Sequence, residues 1–339
     1  MSIPVHIVTG FLGAGKTTLL NRQLSSGDLA NTAIIVNEFG DVGIDHLLVE
    51  SASPADAMIE LSDGCLCCTV RGDLVDTLEQ LSRRVSGGTP LERVIIETTG
   101  LADPAPVLQV IMAAPGIRDR FRVAGVVTAV CALTGLDSLD QHNEARTQVA
   151  LADVIILTKT DIAPPSPALI ATLAALNPLV EPVDANASDV SLTLDDATVS
   201  NAKITDSGAG HHNDRHHDNG IEAFTLTHNR PIDEASVGMF VDLLRSTMAP
   251  EMLRMKGIVW TEQLADQPLV IHGVRSVFDP PQRLASWPSS ERKTRLVVIS
   301  KHGKRRHIAD LFAAFTGQAR IDTPDQQAIT ENPLAIPGM

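Results

Sequence analysis

The first half of the chain alternates short, wholly apolar runs with stretches that read as helices. Residues 3–8, 33–36, 94–96, 123–130 and 154–157 are apolar at nearly every position, the pattern of strands buried on both faces. Residues 74–81 and 168–176 read as helices between or after them. The second has a start signal, with Ser166 as N-cap and Pro167 at the first helical position. This alternation predicts an α/β domain with a mostly parallel sheet over residues 1–184. Residues 185–219 are rich in Asp, Asn, Ser, Ala and Gly, end in a histidine-rich stretch, and read as a linker. A second pattern then begins: strand 221–227, helix 232–246, strands near 257–260, 269–272 and 296–299, and a helix at 308–315. That order predicts a smaller α+β domain with an antiparallel sheet over 220–317. Residues 318–339 are polar and contain proline, and read as a loosely ordered tail.

Composition narrows the class. A length of 339 residues with 44% hydrophobic content supplies two buried cores. No apolar run reaches the roughly 18 residues that span a bilayer. The start, Met1-Ser2-Ile3-Pro4, carries no basic segment or small-residue cleavage site, so a cytoplasmic protein is expected. A net charge of −14 argues against nucleic acid as a partner.

The first candidate chemistry lies just after the first predicted strand. Residues 10–17, Gly10-Phe11-Leu12-Gly13-Ala14-Gly15-Lys16-Thr17, have the spacing G-x-x-x-x-G-K-[ST] and open a predicted helix at 17–24. Glycines let backbone N–H groups converge on phosphate oxygens, and the helix N-terminus adds partial positive charge. Gly10, Gly13, Ala14, Gly15, Lys16, Thr17 and Thr18 are therefore candidate contacts for a nucleoside triphosphate. Lys16 would reach the β- and γ-phosphates, and the Thr17 hydroxyl would ligate Mg²⁺. Strand 94–96 leads into Glu97 and then Gly100. Ligands of open α/β sheets sit at strand C-terminal ends. Glu97 is thus a candidate for holding a magnesium-bound or attacking water, and Gly100 for sensing the γ-phosphate; the alternative is that Glu97 caps the next helix. Thr158-Lys159-Thr160-Asp161 follows strand 154–157. Asp161 can accept from guanine N1–H and the exocyclic amine, a donor pair that adenine lacks, while the Lys159 stem covers the base. The usual first residue of that tetrad is Asn; here it is Thr158. An exposed loop is the alternative.

Three of the four cysteines crowd into Cys65-Leu66-Cys67-Cys68. A disulfide framework would spread them. Clustered thiolates favour Zn²⁺ and related soft ions, with Glu38, after the second strand, as the fourth ligand. Buried free thiols or a redox pair are the bland alternatives. Cys131 ends an apolar strand and reads as a core residue. His211, His212, His216 and His217 read equally as a weak metal collector or as a solvated linker.

Together these segments resemble a known family. Residues 10–18, 37–45 (Asn37 to Asp45), 64–68, 96–104 and 158–161 follow the order found in CobW-type P-loop GTPases, most closely a YjiA-like zinc-binding branch. Residues 254–260 and 271–279 are similar to the CobW C-terminal domain. The resemblance covers nearly the whole chain. It implies a slow GTPase acting as a metallochaperone or metal-insertion factor, with zinc or cobalt among its metals. It also implies Cys65, Cys67, Cys68 and Glu38 as metal ligands and Asp41 to Asp45 as a switch answering the γ-phosphate. Three departures stand out: Thr158, Cys131 where many relatives carry Asp, and His46 where a second acid is frequent. The expected cofactors are GTP, Mg²⁺ and Zn²⁺, or alternatively Co²⁺. The C-terminal domain is the expected contact for a client metalloprotein or a second copy of the chain. A small-molecule kinase or ligase and a non-catalytic metal sensor are the competing readings.

Overall fold

The computed structural model describes residues 2–25, 31–36, 58–60, 69–187, 192, 220–301 and 303–317. Its first domain runs β1 (Ile3–Gly10), α1 (Lys16–Ser25), β2 (Thr32–Val36), β3 (Met58–Glu60), α2 (Thr69–Ser86), β4 (Arg93–Glu97) and α3 (Ala105–Ala113), then β5 (Phe121–Cys131), α4 (Gly135–Gln141), α5 (Asn143–Leu151), β6 (Val154–Thr158), α6 (Pro167–Leu176) and β7 (Val183–Asp184). The strands form one seven-stranded sheet in the order β3-β2-β4-β1-β5-β6-β7. Every neighbouring pair is parallel, so all strand C-termini share one edge.

Burial on both faces explains the unbroken apolar runs. Val5, Ile7, Ile35 and Ile96 face Leu74 and Leu78 of α2 and Leu108 and Ile111 of α3. On the other face, Val8, Ile34 and Ile95 meet Leu19 and Leu20 of α1. The strand register turns Ile155 and Leu157 to the same face as Ile7, where they meet Leu169 and Leu173 of α6. The Ser166 hydroxyl accepts from Leu169 N at 3.1 Å and starts α6 as its residues predict. The first residues of the expected linker pack rather than drift, since Ala185 and Leu192 are buried against the α1 face.

The second domain runs β8 (Ile221–His228), α7 (Glu234–Thr247), β9 (Met252–Val259), β10 (Leu269–Val274), β11 (Val277–Phe278), β12 (Gln282–Arg283), β13 (Thr294–Lys301) and α8 (Arg305–Phe315). Its sheet is antiparallel in the order β11-β10-β9-β13-β8, with β12 on β10. Phe240 and Leu244 of α7 and Ile308 and Phe312 of α8 cover one face, against Phe224, Met255 and Val298. Helix α7 starts later than expected because Asp233 is its N-cap, accepting from Ser236 N at 3.1 Å; Ile232 bridges to Thr261 instead. No helix among the described residues is long and apolar enough to cross a membrane.

Buried charge joins the two domains. Arg254 of β9 pairs with Asp153, just before β6, and its Nη1 donates to the Ala152 carbonyl at 2.8 Å. Lys256 Nζ lies 3.0 Å from the same carboxylate, whose other oxygen accepts from Val126 N at 3.0 Å. Burial pushes the Asp153 carboxyl up, but Arg254, Lys256 and His272 outweigh it and hold the group well below the usual carboxylate range. Burial, with Arg254 alongside, pushes the Lys256 ammonium down against the pull of Asp153.

Replacing Asp153 with Ala strands two cations, Arg254 among the most deeply buried side chains. Urea unfolding of the full chain is expected to register a loss of about 3–5 kcal/mol; a loss below about 1 kcal/mol would mean that the charge cluster does not hold the domains together. The pH dependence has a definite sign. With its folded pKa below the ordinary value of 3.8, Asp153 stabilises fully above that pH and progressively less as acid carries the pH toward the folded value.

Candidate functional site

The candidate site begins where β1 turns sharply into α1. Gly10, Gly13 and Gly15 have φ of 143°, 71° and 87°, values that L side chains rarely adopt. Gly10 also lies against the Ala129 backbone with no room for a Cβ. Ala14 N donates to the Phe11 carbonyl at 3.0 Å, tightening the loop. The loop therefore delivers its last residues to the N-terminus of α1, an arrangement suited to an anion. Lys16 Nζ donates to the Gly10 carbonyl at 3.0 Å, so its ammonium lies along the loop.

Parallel pairing places β4 beside this turn, with Val8 opposite Glu97. The Thr17 hydroxyl donates to Glu97 Oε1 at 2.8 Å, and Glu97 is only 4% exposed. Hydroxyl and carboxylate together are the hard oxygen donors that Mg²⁺ takes. Glu97 does not cap the next helix. That helix has Pro104 as its N-cap residue with no side-chain cap, and Asp103 Oδ1 accepts from Ala105 N, its first residue, at 2.9 Å.

Residues 98–104 are held closely against the loop. Thr98 Oγ1 donates to Thr9 Oγ1 at 2.7 Å in the core, and Thr98 N donates to the Val8 carbonyl at 2.9 Å. A Cβ on Gly100 would come within 2.7 Å of Leu12 N and 2.8 Å of Leu12 Cα. Buried Gln148 donates through Nε2 to the Gly100 carbonyl at 3.2 Å and the Ala102 carbonyl at 3.0 Å. Gln148 escaped sequence reasoning because nothing in its local pattern points to partners so distant in the chain.

On the other side of the loop, Thr158 Oγ1 donates to the Ala14 carbonyl at 2.7 Å. A hydroxyl thus makes the connection to the phosphate loop from the position where Asn is usual. Lys159 has φ of 58°, and its Nζ donates to the Gly13 carbonyl at 3.0 Å. Asp161 is exposed beside them. At the end of β7, Asp184 Oδ1 accepts from Thr160 Oγ1 at 2.6 Å and from Asn186 N at 2.8 Å. Asn186 Nδ2 donates to Thr160 Oγ1 at 2.8 Å. The hydrogen bond from Thr160, then that from Asn186 N, lowers the Asp184 carboxyl from its ordinary value. Asp184 and Asn186 therefore form a polar rim on the loop carrying Asp161; the polar composition after residue 184 had read only as linker.

Cys131 is buried at the end of β5. Burial pushes its thiol up, but hydrogen bonds from Thr134 and Leu133 and the charge of Lys159 bring it below the ordinary value. Among the described residues no group of three or more His, Cys, Asp and Glu is placed to hold a metal. Glu38, Asp41 to Asp45, Cys65, Cys67, Cys68 and His211, His212, His216 and His217 lie outside the described residues.

Comparison with known proteins covers both domains. The family model described as CobW/HypB/UreG, nucleotide-binding domain, matches residues 4–183. The cobalamin synthesis protein cobW C-terminal domain matches residues 221–316. The zinc chaperone YjiA of Escherichia coli is 31% identical over 323 residues, 93% of this chain and 98% of the relative. The zinc-regulated GTPase metalloprotein activator 1 of Saccharomyces cerevisiae is 28% identical, covering 91% of this chain and 82% of the relative. Zinc-bound crystal structures of YjiA GTPase superpose well. One is a triple mutant with alanine for one glutamate and two cysteines, at TM-score 0.69 and 26% identity over 93% of this chain and 99% of that one. The other, described simply as the GTPase from E. coli, gives TM-score 0.67 and 25% identity over the same shares.

Gly100→Ala tests displacement of the phosphate loop itself, since the added Cβ would push on the Leu12 backbone. Overpacking against backbone should raise the Kd for a nucleoside triphosphate about tenfold, equivalent to ~1.4 kcal/mol, with the fold retained by circular dichroism. Unaltered nucleotide affinity would show that the loop yields without consequence.

Proposed function

This chain is a GTPase of the CobW/HypB/UreG family, and from that premise we propose that it is a cytoplasmic zinc chaperone in which GTP hydrolysis moves the metal to a client metalloprotein. One observation carries the reading. Strands β2, β3 and β4 end in register at the nucleotide edge, with Val36 paired to both Glu97 and Glu60. Glu38 follows Val36 by two residues, Cys65 follows Glu60 by five, and Cys68 directly precedes Thr69 at the start of α2. A residue of chain spans at most ~3.6 Å, so the proposed metal ligands are tethered to the edge that carries Thr17 and Glu97. The names of the relatives, a zinc chaperone and a zinc-regulated GTPase activator, support zinc as the cargo.

In this reading the amides of residues 13–18 and Lys16 hold the β- and γ-phosphates and stabilise the charge that develops on transfer. Thr17 and Glu97 would hold the Mg²⁺ that accompanies the triphosphate, and it would neutralise phosphate charge there. Asp161 accepts from the guanine edge, Lys159 lies along the base, and Thr158 ties this loop to the phosphate loop. With no arginine or glutamine assigned to the attacking water, intrinsic turnover is slow. Residues 41–45 answer the γ-phosphate and differ between GTP and GDP states, changing the affinity of Cys65, Cys67, Cys68 and Glu38 for zinc. Linkage then requires zinc to change nucleotide affinity by the same factor. The C-terminal domain presents the client-docking surface.

Competition titration of zinc in the GTP and GDP states is the test. Because the YjiA triple mutant still carries zinc, zinc content alone is uninformative, and the readout is the difference between states. At least a fivefold difference is expected, a coupling of about 1 kcal/mol, and Cys67→Ser should abolish it; equal affinities in both states refute the coupling. Base selection has its own check. Asp161→Asn should cut the preference for GTP over ATP by tenfold or more, and a wild type that turns over ATP as readily as GTP would favour the kinase or ligase reading.

A further inference from the structure

The tip of the C-terminal β10–β11 hairpin presents a residue whose backbone conformation works against its identity. Val274 pairs with Val277, leaving Arg275 and Ser276 as a two-residue turn. Arg275 has φ of 52°. Turns of this length favour Asn or Gly at positive φ, and an arginine there is strained. Its side chain forms an ion pair with Asp103 Oδ2 that is partly open to solvent, with Arg275 24% and Asp103 35% exposed. A pair so exposed adds little stability, while the turn subtracts some. Stability therefore does not account for arginine at this position, and strain retained at one residue points to a use for its side chain.

The use is visible in what Asp103 holds. Its other carboxylate oxygen accepts from Ala105 N, the first residue of α3, at 2.9 Å. Just upstream, Gln148 fastens the carbonyls of Gly100 and Ala102, and Gly100 abuts the backbone of Leu12 in the phosphate loop. On the far side, the hairpin is anchored rather than free. Val274 is buried in the first domain's core with Val107, Leu108 and Ile111, and Val277 packs against that cluster. Arg275 N also donates to the Leu253 carbonyl at 3.2 Å. One continuous set of contacts thus runs from the C-terminal sheet through Asp103 to the loop that follows Glu97.

We propose that Arg275 is a positioning residue for GTP hydrolysis, acting through Asp103 to hold residues 98–104 against the phosphate loop. Nucleotide binding rests on residues 10–18 and 158–161, which Arg275 does not touch. Hydrolysis depends on Glu97, which directly precedes the segment it steadies, and on Gly100, which lies within it. The proposal rests on the GTPase assignment, so wild-type GTP turnover is measured first and separates the two questions.

Three variants of the full chain make the test: Arg275→Asn, Asp103→Asn and the double replacement. Asn suits the turn at 275, and at 103 it keeps an oxygen for Ala105 N while removing the charge. Each single variant should lower kcat five- to tenfold with KM for GTP within twofold. The thermal midpoint of Arg275→Asn should be equal to or above wild type, and Arg275→Lys should recover part of the rate. The double variant should be no slower than the slower single one, because both replacements cut the same link. Turnover within twofold of wild type in both single variants overturns the proposal. So do losses that multiply in the double variant, or a rate loss that only follows a fall in thermal midpoint.

Discussion

The parallel pairing of β1 with β4 and β5 is the constraint from which the site follows. Val8 lies opposite both Glu97 and Val127, so the chain must leave β1 at the edge where β4 delivers its carboxylate. Buried residues surround β1 on both faces, and the only way onward into α1 is a turn too sharp for side chains at Gly10, Gly13 and Gly15. The same register brings Thr17 under Glu97, and the continuation of the sheet through β6 brings Thr158 to the Ala14 carbonyl. One alignment of strands thus locates the phosphate loop, the proposed magnesium donors and the base-side loop together.

The second domain is joined to that arrangement by charge as well as by packing. Arg254 and Lys256 converge on Asp153, and Arg275 reaches Asp103. All three cations lie within the two C-terminal segments that resemble the CobW C-terminal domain, residues 254–260 and 271–279. Those segments read, without a structure, as features of a separate domain. In three dimensions they are where it meets the first. A buried charge cluster is a costly way to join surfaces and a selective one, since a shifted interface would leave ions unpaired in a dry environment.

Much of the fold is legible in the chain because strands buried on both faces leave unmistakable apolar runs. The phosphate loop is legible because the need for positive φ restricts residue choice to glycine. Helix α3 is harder to read, since six of its nine residues are buried and an apolar stretch without a polar face does not declare its period. Strands β3 and β7, of three and two residues, are too short to carry any pattern. The wider support of the site was also hidden. Gln148 lies 48 residues from Gly100 and Arg275 lies 172 from Asp103. Such pairs depend on topology, and no local spacing announces them. Thr158 illustrates the converse: an unusual residue that looked like a weakness in the motif makes a short hydrogen bond to the loop it should contact.

The proposed function requires phosphate chemistry at the nucleotide edge and metal movement to be one event. Rapid mixing of zinc-loaded protein with a chromogenic chelator, in the presence of GTP or a non-hydrolysable analogue, examines this directly. Zinc should reach the chelator at the rate of phosphate release with GTP and at least tenfold more slowly with the analogue. Equal rates of zinc transfer with GTP, with the analogue and without nucleotide would contradict a role for hydrolysis in moving the metal.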